Sequence, residues 1–136
     1  MKIFLCASKY NYAKIPPIKT ALEAAGHNVT PPNSFDDPLK EEKMKALSAD
    51  EHRSWKASMM RLDKEKIRRN DAILVLNFDK NGQKNYIGGA TFLEIYKAFD
   101  LEKKIFLYNT IPDGSFKDEI LGMGPEIISG DLTKIV

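Results

Sequence analysis

Gly88-Gly89-Ala90-Thr91-Phe92-Leu93-Glu94 is the segment whose residue types and spacing bear most directly on chemistry. Paired glycines permit unusual backbone angles and the close approach of a ligand. A helix starting there turns free backbone N–H groups toward an anion. Glu94 then falls in the first helical turn, facing the crevice or the loop. The same letters carry a second reading. Thr91-x-x-Glu94 is also a capping box, in which Thr91 accepts from the Glu94 N–H and Glu94 reaches back to that of Thr91. Spacing leaves both open, with the cap the commoner of the two.

The elements that must position this segment are legible from periodicity. Residues 2–7 form a short apolar run suited to a buried strand. Pro16-Pro17 then opens a helix carrying Ile15, Ile18, Leu22 and Ala25, stopped by Gly26. His27–Thr30 is a second strand, ended by Pro31-Pro32, and residues 33–38 are loop. A short helix follows over about 39–47. Ser48-Ala49-Asp50-Glu51 is a capping box opening a longer helix, with Trp55, Met59 and Leu62 as its expected core face. Ala72–Leu76, introduced by Asp71, is apolar on both faces, as a central parallel strand should be. After the polar loop Asn77–Ile87, a helix over about 90–101 carries the stripe Phe92, Ile95, Tyr96 and Phe99. Residues 104–108 form a fourth strand, 116–123 a short helix and Ile127-Ile128 a last strand.

Strands alternating with helices imply an α/β fold. The expectation is a three-layer, doubly wound parallel sheet of about five strands, flavodoxin- or Rossmann-like, in the order 2-1-3-4-5. It forms one domain over residues 1–136. In such a sheet the ligand crevice lies at the carboxyl ends of the strands where the order reverses. Here that places it at the Ser8–Lys14 and Asn77–Ile87 loops.

Composition narrows the classes. The 136 residues are 43% hydrophobic and 29% charged with a net charge of +2, ordinary for a globular domain and against disorder. No apolar run approaches the roughly 20 residues of a membrane helix, and the apolar start is too short for a signal segment. A single cysteine excludes an internal disulfide framework. His27 and His52, lying far apart, offer no metal spacing, so no metal or cofactor is expected. The basic residues between Lys40 and Arg69 alternate with acidic ones, the mark of a solvated helix face rather than a nucleic-acid surface. A cytoplasmic chain with neither membrane nor nucleic-acid partners is expected. Cys6 reads as a core thiol.

The run Asn70–Leu76, followed after a loop by Gly-Gly-Ala-Thr-Phe-Leu-Glu-Ile-Tyr-Lys-Ala, resembles the nucleoside 2-deoxyribosyltransferase superfamily. Leu5-Cys6-Ala7-Ser8 is similar to its opening strand, Asp71 to the acidic residue introducing its central strand, and Thr91, Glu94 and Ala98 to its helix start. Asp63 fits the acidic residue on its preceding helix. The likeness spans roughly residues 1–110. It departs at Gly88, where the family has Asp, at Ala90 and at Tyr96, where it has Gly. A second, lower-ranking resemblance links Gly88-Gly89-x-Thr91-x-x-Glu94 to the lysine-decarboxylase-like phosphoribohydrolases.

The first resemblance implies transfer or hydrolysis at a nucleoside or nucleotide N-glycosidic bond, with Glu94 as nucleophile on C1′. It implies a second acid to protonate the departing base. Asp79, just past the third strand, is the nearest candidate, although it reads equally well as a solvated loop residue. Ser8, Lys9, Tyr10, Asn77, Gly88, Gly89 and Thr91 are the expected substrate-binding residues, and Lys9 suits a 5′-phosphate. The alternative is a nucleotide-binding or sensing module without turnover. The partner is a small-molecule nucleoside or nucleotide, and a homo-oligomer is expected by analogy of fold.

Overall fold

A computed structural model describes residues 1–136. Strands β1 (Lys2–Cys6), β2 (Asn28–Thr30), β3 (Ala72–Val75), β4 (Lys104–Leu107) and β5 (Glu126–Ile127) form one sheet. All pairings are parallel, and the order is β2-β1-β3-β4-β5. Helices α1 (Ile15–Ala24), α2 (Lys40–Leu47), α3 (Ala49–Arg69), α4 (Gly89–Asp100) and α5 (Lys117–Met123) make the connections. The α/β class and the strand order are those expected.

Period-two alternation in the two central strands divides the core. Ile3, Leu5, Leu74 and Leu76 face α1, packing on Ile15, Ile18 and Leu22. Phe4, Cys6, Ile73 and Val75 face the opposite layer, meeting Ile67 of α3, Ile95 and Ala98 of α4 and Ile120 of α5. With both faces covered, β1 and β3 must be apolar at nearly every position, which is why they read as continuous runs. Ile128 and Ile135 from the C-terminal segment complete the α1 face. Asp71 accepts from the Lys2 N–H at 2.7 Å, tying the start of β3 to that of β1. No helix is long and apolar enough to cross a membrane.

Three local expectations change. Lys9–Lys14, read as an aperiodic loop, is a 3-10 helix running directly into α1. α3 has the expected cap, Ser48 accepting from the Glu51 N–H at 3.0 Å. Its expected core face is not buried: Leu62 is 40% exposed, and Ile67 is the buried residue of the helix. α4 buries Thr91, Ile95 and Ala98, leaving Tyr96 and Phe99 half-exposed. The buried stripe thus includes small Thr91 and Ala98 in place of the larger Tyr96 and Phe99.

Candidate active site

A cleft of about 330 Å³ opens at the carboxyl ends of β1 and β3. One side is the segment after β1, with Ala7, Ser8, Lys9, Tyr10 and Tyr12. Opposite it, Lys80 and Tyr86 lead into Gly88, Gly89 and the first turns of α4, with Ala90, Thr91 and Glu94. The remaining wall comes from Pro32, Asn33, Ser34, Pro38 and Glu41 and from Trp55, Lys56, Met59 and Asp63 of α3. The crevice thus lies at the expected edge, and the segment after β2 and the helix α3 enclose it as well.

Helix α4 begins at Gly89 with Gly88 as N-cap, and no side chain caps it. Thr91 is therefore the third residue inside the helix, and the capping box does not form. Starting one residue earlier carries Glu94 into the second turn, on the side facing the cleft. Gly88 has an ordinary φ of −83°, so backbone freedom is not its use there. Its missing side chain is: an added Cβ would lie 3.0 Å from the Tyr86 hydroxyl. At Gly89 an added Cβ would meet nothing within 4 Å, leaving the backbone open to a ligand.

Glu94 of α4 and Asp63, a half-buried residue of α3, both line the cleft. Burial first, and then the Asp63 charge, push the Glu94 carboxyl well above the usual carboxylate range. A hydrogen bond from the Cys6 thiol at the end of β1 and the charges of Lys66 and Lys56 work against that rise. Burial also raises Asp63, from 3.8 to about 6, opposed by Lys66, by a hydrogen bond from Asn33 and by Lys56. Burial likewise raises the Cys6 thiol and pushes Tyr12 up to about 12, with Glu94 and Asp63 adding to both. Each carboxyl thus makes the other's charge more costly, and ionising both together is disfavoured.

Cations surround the pair. Lys66 is lowered by burial, although both carboxylates pull it back up. Lys80 Nζ lies between two tyrosine rings at the mouth, 4.3 Å from the Tyr10 centroid and 4.6 Å from that of Tyr86. Lys9 pairs with Glu42 of α2. Lys56 Nζ donates to Glu41 at 3.1 Å, and His52 Nε2 lies 2.9 Å from the same oxygen. Burial works upward on Glu41, but these two hydrogen bonds together with the charges of Lys56 and Lys45 outweigh it and its carboxyl is lowered.

Of the residues expected in the site, Ser8, Lys9, Tyr10, Gly88, Gly89, Thr91 and Glu94 line the cleft. Two do not. Asn77 is fully buried and clips β3 to β4, donating to the Asn109 and Thr110 carbonyls at 3.0 Å and accepting from the Asn109 N–H at 2.8 Å. Its polar atoms are thereby occupied. Asp79 is exposed and accepts from the Asn85 N–H at 2.9 Å, folding its own loop. Asp63 is the acid that the chain brings to Glu94. Its spacing held a signal: Trp55, Met59 and Asp63 recur every fourth residue, one face of a helix, and all three line the cleft.

The molecule is thus a parallel α/β domain with a carboxyl pair at the carboxyl ends of its central strands. Among solved structures it is similar to the CMP N-glycosidase BcmB of Clostridium botulinum, at 21% identity and a TM-score of 0.55, over 93% of this chain and 84% of that one. At that identity the likeness is one of fold. No family model and no curated protein matches the chain.

Proposed function

We propose that this protein cleaves or exchanges the N-glycosidic bond of a nucleoside or nucleoside monophosphate. The observation that carries the reading is the carboxyl pair, Asp63 and Glu94, set in a cleft where a parallel sheet places its ligands. The fold shared with a CMP N-glycosidase supports the same ligand class.

In the proposed reaction the Glu94 carboxylate attacks C1′ and the C1′–N bond breaks, its electron pair leaving with the base. Asp63 gives its proton to the departing base, and the sugar is held as an ester on Glu94. Water, or the nitrogen of a second base, then displaces Glu94 from C1′. Its proton returns to Asp63 and the pair is reset. Before attack, a charge must reside on Glu94 and a proton on Asp63, the reverse of the order in which burial raises the two in the free protein. Positive charge developing at C1′ favours that distribution.

The test is base release from a panel of nucleosides and monophosphates, with and without free base. Base release is expected from at least one substrate, with Glu94→Ala reducing it at least about a thousandfold. Asp79→Ala, outside the cleft, is expected to keep turnover. No base released from any substrate, or full activity in Glu94→Ala, would remove the reading. Exchange without hydrolysis selects a transferase. Gly88, where the resembling family has Asp, favours the second reading, a binding module. A ligand that raises Tm without forming product would establish it. Self-association is carried with the proposal on the exposed Leu93 and Tyr96 of α4 and Met60 of α3, and sedimentation of the intact chain tests it.

A further inference from the structure

Asn33 lies between β2 and α2, in a segment whose letters read only as loop. Its Nδ2 donates twice, to the Met59 carbonyl at 3.2 Å and to Asp63 Oδ1 at 2.6 Å. Its Oδ1 is buried and has no partner. An orphaned amide oxygen is destabilising, and natural chains rarely keep one. Turning the amide over does not help, because Oδ1 would then face the Met59 carbonyl, acceptor against acceptor. The side chain is therefore fixed with both donors committed and its own acceptor unsatisfied, an arrangement explained by what it does to Asp63.

We infer that Asn33 is the positioning residue of the acid: its amide holds Oδ1 of Asp63, leaves the transferable proton to Oδ2 and keeps that proton loosely bound. The inference rests on the reading of Asp63 as the proton donor. An oxygen that accepts a short hydrogen bond is the carbonyl oxygen of a protonated carboxyl, so the proton sits on the other one. The same bond strengthens when Asp63 is charged and so eases loss of the proton. It acts against strong opposition. Glu94 faces Asp63 from α4, Cys6 from β1 and Tyr12 from the 3-10 helix, and burial disfavours its charge. Lys66 and Lys56 on its own helix act in the same direction as Asn33. An acid held only by burial and repulsion would keep its proton too tightly to release it near neutral pH.

The experiment reads the titration of the Asp63 side-chain carboxyl carbon by NMR in the full chain. A Glu94→Gln background makes Asp63 titrate alone. Adding Asn33→Leu is expected to move the midpoint up by about one pH unit, the effect of one charge-assisted hydrogen bond. With Glu94 retained, the high-pH limb of the rate profile should move up by the same amount. If Asn33→Leu does not fold, Asn33→Ser, too short to reach Asp63, is read in the same way. A folded variant with an unmoved midpoint overturns the inference, even if its Tm is lower, because it reduces Asn33 to a tie between loop and helix. A wild-type chain that releases no base would remove the glycosidase reading instead, and the midpoint shift would still be there to measure.

Discussion

At the scale of single residues, the site holds charge where folding alone would not place it. Asp63 is raised from 3.8 to about 6, so the folded chain binds that proton more tightly than the unfolded one. Its favourable contribution is complete below about 3.8 and is lost as pH rises through about 6. The wild-type Tm is therefore expected to fall over this window more steeply than that of Asp63→Asn. At pH about 8 that variant should be more stable by about 1–3 kcal/mol, while base release drops by about two to four orders of magnitude. Thermal melts across pH, paired with base-release assays, check both. Equal pH slopes would mean that Asp63 is not held against its charge.

At the scale of elements, two neighbouring positions separate structure from site. Asn77→Ala removes the clip between β3 and the segment after β4 and should cost about 2–3 kcal/mol. The KM of the folded variant should stay near wild type, because no Asn77 atom reaches the cleft. Gly88→Ala should do the reverse. Its backbone is ordinary and Tyr86 is a movable neighbour, so stability changes little. Displacing the Tyr86 ring loosens Lys80 at the mouth, and KM should rise about two- to fivefold. Denaturant melts and Michaelis kinetics on the two variants measure the contrast.

At the scale of the whole molecule, one wall of the cleft is held differently from the rest. α2 buries no residue, and its cleft-side ties are polar, Glu42 to Lys9 and Glu41 to His52 and Lys56. β1 and β3 are buried on both faces. Local opening is easiest where buried apolar contact is least. Backbone amides over 40–47 are expected to exchange hydrogen far faster than those of β3, and to slow when a nucleoside monophosphate occupies the cleft. Hydrogen-exchange mass spectrometry with and without CMP reads this directly.

Much of this architecture was legible in the letters. The continuous apolar runs of β1 and β3, Ser48 before α3 and the alternation of strand with helix pointed to the class, the strand order and the edge where the cleft lies. Those signals are local, and local sterics and burial write them into adjacent residues. Which acid meets Glu94 was legible only as a face of α3, Trp55, Met59 and Asp63, with nothing local to say that it turns toward α4. Asp79 stands nearest to the third strand in sequence, yet Asp63 is the acid that shares the cleft with Glu94 and whose charge bears on it. Only the packing of α3 against α4 brings those two together, and only the segment after β2 supplies Asn33. The helix register was likewise a tertiary matter, because α4 buries Thr91, Ile95 and Ala98 and leaves the larger Tyr96 and Phe99 half-exposed, a rotation that puts Glu94 in the cleft lining. Adjacent residues record how a chain bends locally. The mutual repulsion of two carboxyls depends on distance and burial, which exist only once the layers have closed.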